Sequence, residues 1–103
     1  MTVTALLSTA PVIEDSMAPD VARAVEALEA FDVTYEVGPM GTTIEARDTE
    51  TLFAAARAAH DAVEADRVST LLKVDDDRVD GRDPAAKVAA VEEHLGRSAT
   101  SDS

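Results

Sequence analysis

Four stretches of alternating residues, two intervening stretches with apolar residues at helical spacing, and one connector short enough only for a hairpin predict an α+β fold. Their order is strand, helix, strand, strand, helix, strand, then one more helix. That is the order of a ferredoxin-like βαββαβ sandwich with an extra C-terminal helix and a four-stranded antiparallel sheet. The expected domain covers residues 1–96, and residues 97–103 form a Ser/Thr/Asp tail expected to be disordered. A chain of 103 residues, 46% of them hydrophobic, supplies one core. A domain this small buries a modest share of its surface, so self-association is expected.

The first strand runs from Thr2 to Ala10, with Val3, Ala5 and Leu7 alternating with Thr4, Leu6 and Ser8. Pro11 ends it. Ser16 and Pro19 open the first helix, whose apolar face carries Val21, Ala24, Val25, Leu28 and Phe31. The second strand, Val33 to Val37, sets Val33, Tyr35 and Val37 against Thr34 and Glu36. Gly38-Pro39-Met40-Gly41 has the composition of a tight turn. The third strand, Thr42 to Arg47, then places Thr42, Ile44 and Ala46 opposite Thr43 and Glu45. Asp48 or Thr49 caps the second helix, with Glu50 in its first turn. Its expected apolar stripe is Leu52, Phe53, Ala56, His60 and Val63. The fourth strand, Arg67 to Asp75, sets Val68, Thr70, Leu72 and Val74 against Ser69, Leu71, Lys73 and Asp75. After an acidic loop, a third helix from about Pro84 to Leu95 carries Val88, Val91 and Leu95 on one side, and Gly96 stops it.

Twenty-one acidic side chains against nine basic ones give a formal charge of −12. Such a field repels phosphate backbones and anionic membranes, so neither nucleic acid nor membrane is an expected partner. No apolar run approaches the 18 or so residues of a membrane span, and no secretory signal is readable. The absence of cysteine excludes disulfides, thiolate metal sites and a cysteine nucleophile. A cytoplasmic address follows. The acidic, Ala/Val-rich composition, with Lys73 and Lys87 the only lysines, fits a halophilic protein kept soluble by its charge while salt screens self-repulsion.

Few residues suggest chemistry. Asp75, Asp77, Asp80 and Gly81 hint at a calcium loop within the Asp75–Asp83 stretch. Val79 stands where a third ligand belongs, and Ala86 replaces the bidentate Glu. A hydrated acidic turn is expected instead. His60 and His94 lack a second ligand at metal spacing, so no metal is expected. His60, on the apolar stripe, reads as a satisfied core histidine. No serine sits in a nucleophile elbow, and the Gly38–Gly41 connector opens a strand and has no following Lys, unlike a phosphate loop. No catalytic residue and no cofactor are expected.

What remains is the sheet face left uncovered by the two main helices, which carries Thr4, Leu6, Ser8, Thr34 and Leu71 among its residues. There Glu36, Glu45 and Asp75 accept hydrogen bonds, Lys73 donates them, and Thr43 and Ser69 do both. A nitrogen-rich, partly cationic heterocycle suits this mixture, with Met40 packed on a flat ring. Equally, Met40 plugs the hairpin and the polar groups pair across a subunit contact.

Tyr35-Glu36-Val37-Gly38-Pro39-Met40-Gly41-Thr42-Thr43-Ile44-Glu45 resembles the signature hairpin of the thiamine-binding family of small ferredoxin-like proteins, formerly a group of uncharacterised conserved proteins. Residues 67–76, Arg-Val-Ser-Thr-Leu-Leu-Lys-Val-Asp-Asp, are similar to its final strand, and Asp77-Arg78 continue it. His60 with Ala62-Val63 resembles its second helix, and Lys87 with Val88 to Glu93 its closing helix; the resemblance spans roughly residues 2–95. It implies dimers, commonly tetramers, and binding without catalysis of thiamine or its hydroxymethylpyrimidine moiety. Carried onto matching positions, it implies Glu36, Met40, Gly41, Thr42, Thr43 and Glu45 on the hairpin, with Ser69, Lys73 and Asp75 on the last strand. The chain departs from the family at Ser8-Thr9-Ala10-Pro11-Val12-Ile13, where the family tends to have Pro and Gly. It departs again at Leu71, where a small or polar residue is usual. Two other readings stand beside a binder: an oligomeric structural module with no small ligand, and an enzyme using Glu36 and Glu45 as a carboxylate pair.

Overall fold

The computed structural model describes residues 2–78 and 84–100. Strand β1 (Val3–Pro11) leads into helix α1 (Ala18–Leu28), the hairpin β2 (Val33–Gly38) and β3 (Gly41–Ala46), helix α2 (Thr49–Ala62), strand β4 (Val68–Asp76) and helix α3 (Pro84–Leu95). The sheet order is β2-β3-β1-β4, and every neighbouring pair is antiparallel. This is the predicted ferredoxin-like βαββαβ arrangement with a C-terminal helix. No helix among the described residues is long and apolar enough to cross a membrane.

The alternation of β1 is reproduced as buried and half-buried positions in strict turn along its nine residues. Its inward residues Val3, Ala5 and Leu7 join Ile44 and Ala46 of β3 beneath the helices. The core is small-residue rich. Ala24, Ala55, Ala56 and Ala59 bring α1, α2 and the sheet close together, and Leu28, Ile44, Leu52 and Val3 are the largest wholly buried side chains.

Local signals set the element ends. Pro19 sits in the first turn of α1, where its missing N–H costs nothing, and Ser16 Oγ accepts from the Ala18 N–H at 3.3 Å. Asp48 caps α2 by accepting from the Thr51 N–H at 2.7 Å, and that bond holds its carboxyl below the ordinary carboxylate range. Gly96, at φ +72°, ends α3, and its N–H and that of Arg97 both donate to the Glu92 carbonyl.

Three expectations are corrected. The buried stripe of α2 is Leu52, Ala55, Ala56 and Ala59 rather than the stripe through Phe53 and His60. Phe53 and His60 lie on the flanks, both exposed, because the alanine side allows the closest approach to the neighbouring helix and sheet. His60 is therefore a surface histidine and not a core one. The first, third and fourth strands each begin and end one residue away from the expected bounds, so that Pro11 lies inside β1 rather than ending it. Of the acidic loop, residues 79–83 lie outside the described residues, including the calcium-loop positions Val79, Asp80 and Gly81. Residues 101–103 of the expected tail also lie outside them; before that point, the Ala99 N–H donates to the Glu92 carboxylate at 2.9 Å.

Candidate functional site

The two faces of the sheet offer different chemistry. On the helix side, the end of β1, the helix α1 and the β2–β3 turn enclose a cavity of about 190 Å³. Met17, Val21, Ala24, Val25 and Leu28 line it from α1 and its approach, Leu7 to Ala10 from β1, and Val37 to Thr42 from the hairpin. Among the described residues no charged side chain lines it. Thr9 and Thr42, both buried, are the polar side chains on its sheet floor. No described residue hydrogen-bonds the Thr42 hydroxyl. Gly41 brings the hairpin backbone against β1, for a Cβ there would lie 2.9 Å from the Leu7 carbonyl oxygen. An apolar cavity of about 150 Å³ holds a benzene ring, so this one has room for a six-membered ring with small substituents.

Thr9 is not isolated. Its Oγ1 lies 2.6 Å from Oγ1 of Thr70, its register partner on β4, and Thr70 Oγ1 lies 2.6 Å from Nδ1 of His60. A chain of hydrogen bonds thus runs from the cavity floor to the exposed edge of α2. Beside the cavity, an open groove with Val21, Val25 and Val37 in common carries the carboxylates of Glu26 and Glu29. Tyr35 donates its hydroxyl to Glu29 at 2.8 Å, and that bond raises the phenol above its ordinary range.

On the open face, Glu36, Thr43 and Glu45 share a shallow hollow of about 140 Å³ with Thr34 and Tyr35. Leu71 stands out from β4 with 62% of its surface exposed. Asp75 is ion-paired with Lys87 of α3. Among the described residues no three His, Cys, Asp or Glu side chains are placed to share a metal ion.

The nine candidate residues therefore do not share one site. Met40, Gly41 and Thr42 border the cavity; Glu36, Thr43 and Glu45 lie on the opposite face; Ser69, Lys73 and Asp75 lie on the far edge strand. Strand β2, which carries Glu36, is three inter-strand spacings, about 14 Å, from β4, too far for one ring to touch both, while Thr43 and Glu45 on β3 lie two spacings from it. The sequence reading missed Thr9, the lining from α1 and the Thr70–His60 continuation. A signal existed: Thr9 and Thr70 are hydroxyls at positions whose alternation points them toward the helices.

The fold and its hairpin cavity define a small ferredoxin-like α+β domain. The sequence matches the family model for thiamine-binding proteins over residues 5–92, and the chain belongs to that family. A UPF0045 protein of Methanothermobacter thermautotrophicus is 46% identical over 83 residues, covering 78% of this chain and 84% of its own. The crystal structure of a hypothetical protein from Methanocaldococcus jannascii superposes with a TM-score of 0.80 at 29% identity, covering 89% of this chain and 97% of that one. A Thermotoga maritima protein provisionally assigned to thiamine biosynthesis or salvage does so with a TM-score of 0.75 at 26% identity, covering 88% and 99%.

Proposed function

We propose that the protein is a non-catalytic binder that takes the aminopyrimidine part of thiamine into the cavity between α1 and the hairpin. The observation that supports it most is the cavity itself: apolar, free of charged lining, floored by two hydroxyls and bordered by the family's hairpin. A flat, neutral, nitrogen-rich ring gains there from burial and from hydrogen bonds to Thr9, Thr42 and the turn backbone. Each such bond contributes about 0.5–1.5 kcal/mol net. A few of them with the ring's burial reach the roughly 8 kcal/mol of micromolar affinity.

The thiazolium ring of thiamine carries a permanent charge, and burying it without a counter-charge is costly. The adjoining groove, with Glu26 and Glu29 at its rim, leaves such a ring in water beside carboxylates. The free pyrimidine and whole thiamine then bind with similar affinity, since the exposed ion pair adds little.

Calorimetry with both compounds, on wild type and Thr42→Val, tests this reading. Wild type is expected to bind both. Thr42→Val is expected to bind about tenfold more weakly while the unliganded protein keeps its thermal midpoint, because the lost hydroxyl has no partner to orphan. No heat with either compound at millimolar concentration sinks the proposal.

Self-association is a second reading, compatible with the first. Leu71 on the open face and Val88, Val91 and Leu95 on α3 are all about half exposed or more. Leu71→Asp is expected to shift sedimentation toward monomer. An unchanged sedimentation profile removes the open face as the contact.

A further inference from the structure

We propose that Glu26 and Glu29 make the site selective for unphosphorylated ligands, so that thiamine and its free hydroxymethylpyrimidine are taken and the phosphate esters of both are turned away. The inference rests on the reading that the pyrimidine ring occupies the cavity beside α1.

The chemistry of the ligand dictates where a phosphate must go. The pyrimidine carries one hydroxymethyl group, and the same methylene joins it to the thiazolium ring in thiamine. A cavity of about 190 Å³ has room for the ring and small substituents only, so whatever the methylene bears lies outside. The groove that continues the cavity, with Val21, Val25 and Val37 common to both, is the place for it. There the pyrimidine ester sets its phosphate directly. Thiamine sets its thiazolium there, and a thiamine ester carries the phosphate on the hydroxyethyl arm of that ring.

The groove follows one strip of α1, from Ala18 in the first turn to Glu29 at the C-cap, and neither end suits an anion. At the C-terminal end, Glu26 and Glu29 are three residues apart, on one face of the helix, and both are exposed. Tyr35 of β2 donates to Glu29 at 2.8 Å and holds that carboxylate toward the hairpin side of the groove. The partial negative charge of the helix C-terminus adds to theirs, and no basic residue in the last turn offsets it.

At the other end, the N–H groups of a helix N-terminus ordinarily cradle phosphate. Here Pro19 has no N–H, Ala18 gives its own to Ser16 Oγ, and Val21 gives its own to the Met17 carbonyl. Asp20 adds a carboxylate in the same turn, and Arg23 is ion-paired with it. Among the described residues no Lys, Arg or His lines the cavity or the groove.

The sign of the effect follows from charge. Thiazolium carries a single positive charge, and a phosphate monoester about −1.5 to −2 at neutral pH. The carboxylates that favour the first repel the second, about twice as strongly at equal distance. At about 0.15 M ionic strength, exposed charges more than about 8 Å apart are largely screened. The two groove carboxylates therefore act on the ester, while the remainder of the net charge of −12 contributes little.

Calorimetry at that ionic strength measures dissociation constants for hydroxymethylpyrimidine and its monophosphate, and for thiamine and its diphosphate. Three proteins are compared: wild type, the double variant Glu26→Gln with Glu29→Gln, and the double variant Glu50→Gln with Glu93→Gln. The last removes the same charge at exposed positions away from the groove, for Glu50 follows β3 at the end of the sheet opposite the hairpin and Glu93 lies on α3. Glutamine keeps the shape of glutamate, and its amide oxygen accepts from Tyr35, so the groove variant is expected to fold with an unchanged thermal midpoint. Wild type is expected to bind each ester about tenfold more weakly than its parent alcohol. The groove variant is expected to close that gap to about twofold, and the remote variant to keep it. Esters bound by wild type as tightly as their alcohols overturn the selectivity and leave the cavity reading standing. A gap that persists in the groove variant, or closes equally in the remote one, overturns the assignment to Glu26 and Glu29. Failure of wild type to bind either unphosphorylated compound overturns the cavity reading together with the selectivity.

Discussion

Leu52→Ala is expected to lower the stability of the fold by about 2–5 kcal/mol, toward the upper part of that range. Leu52 is wholly buried at the start of α2, and it is one of few bulky side chains in the core. Among the described residues, half of the twelve buried hydrophobic ones are alanines. An alanine has no rotamer with which to move into a void, so the space left by Leu52 stays open, and the cost of a cavity grows with the volume that remains. For a domain of this size each kcal/mol moves the thermal midpoint by about 4–8 °C, so the drop is about 8 °C or more. Phe53→Ala supplies the contrast. Phe53 is the larger residue, yet 53% of its surface is exposed, and substitutions of exposed side chains usually cost about 0.5 kcal/mol or less. A midpoint loss for Phe53→Ala equal to that for Leu52→Ala, in thermal unfolding followed by circular dichroism, contradicts the assignment of the buried face.

That contrast shows how the sequence was and was not legible. Strands were readable because a period of two has one inward set, and in β1 that set is Val3, Ala5 and Leu7, apolar throughout. The hairpin was readable because Gly38, Pro39 and Gly41 restrict the chain to a turn. In α2 hydrophobicity misled. The largest apolar residues suggested a stripe through Phe53, while the buried face is set by how closely the helix can approach its neighbours, which favours Ala55 and Ala59.

The site was legible only at its rim. Met40, Gly41 and Thr42 border the cavity, and they were found from the hairpin motif. The rest of the cavity is a gap between α1, the end of β1 and that hairpin, segments far apart in sequence, and a gap of that kind is a property of packing that no local pattern encodes. The acidic residues drew attention to the opposite face because charge is conspicuous in a sequence. The polar atoms at the cavity are uncharged hydroxyls, which composition does not single out. Thr9 and Thr70 could have been found by asking why two polar residues occupy inward positions directly opposite each other on paired strands.

Gly41→Val is expected to damage both the fold and the binding of a pyrimidine, and to do so for a reason confined to one backbone position. Gly41 adopts φ +149°, a conformation that residues with a Cβ rarely take. A Cβ there also meets the Leu7 carbonyl oxygen at 2.9 Å and Leu6 Cδ1 at 3.1 Å. The Leu6 side chain can turn away; the carbonyl belongs to the β1 backbone, beside the Leu7–Thr42 pair of the ladder, and cannot move without loosening the sheet. Backbone strain of this kind costs about 1–3 kcal/mol, and the branched valine adds repulsion that only separation of β3 from β1 relieves. That separation moves Thr42 and the turn, which form the cavity's rim, so affinity is expected to fall about tenfold or more even at temperatures where the variant remains folded. Gly38→Ala is the control within the same turn: its Cβ would lie 3.4 Å from the Gly41 carbonyl oxygen, an ordinary contact, and both midpoint and affinity should stay near wild type. If Gly41→Val instead retained the wild-type midpoint in thermal unfolding and the wild-type affinity in calorimetry, the close approach of the hairpin to β1 would not be what shapes the cavity.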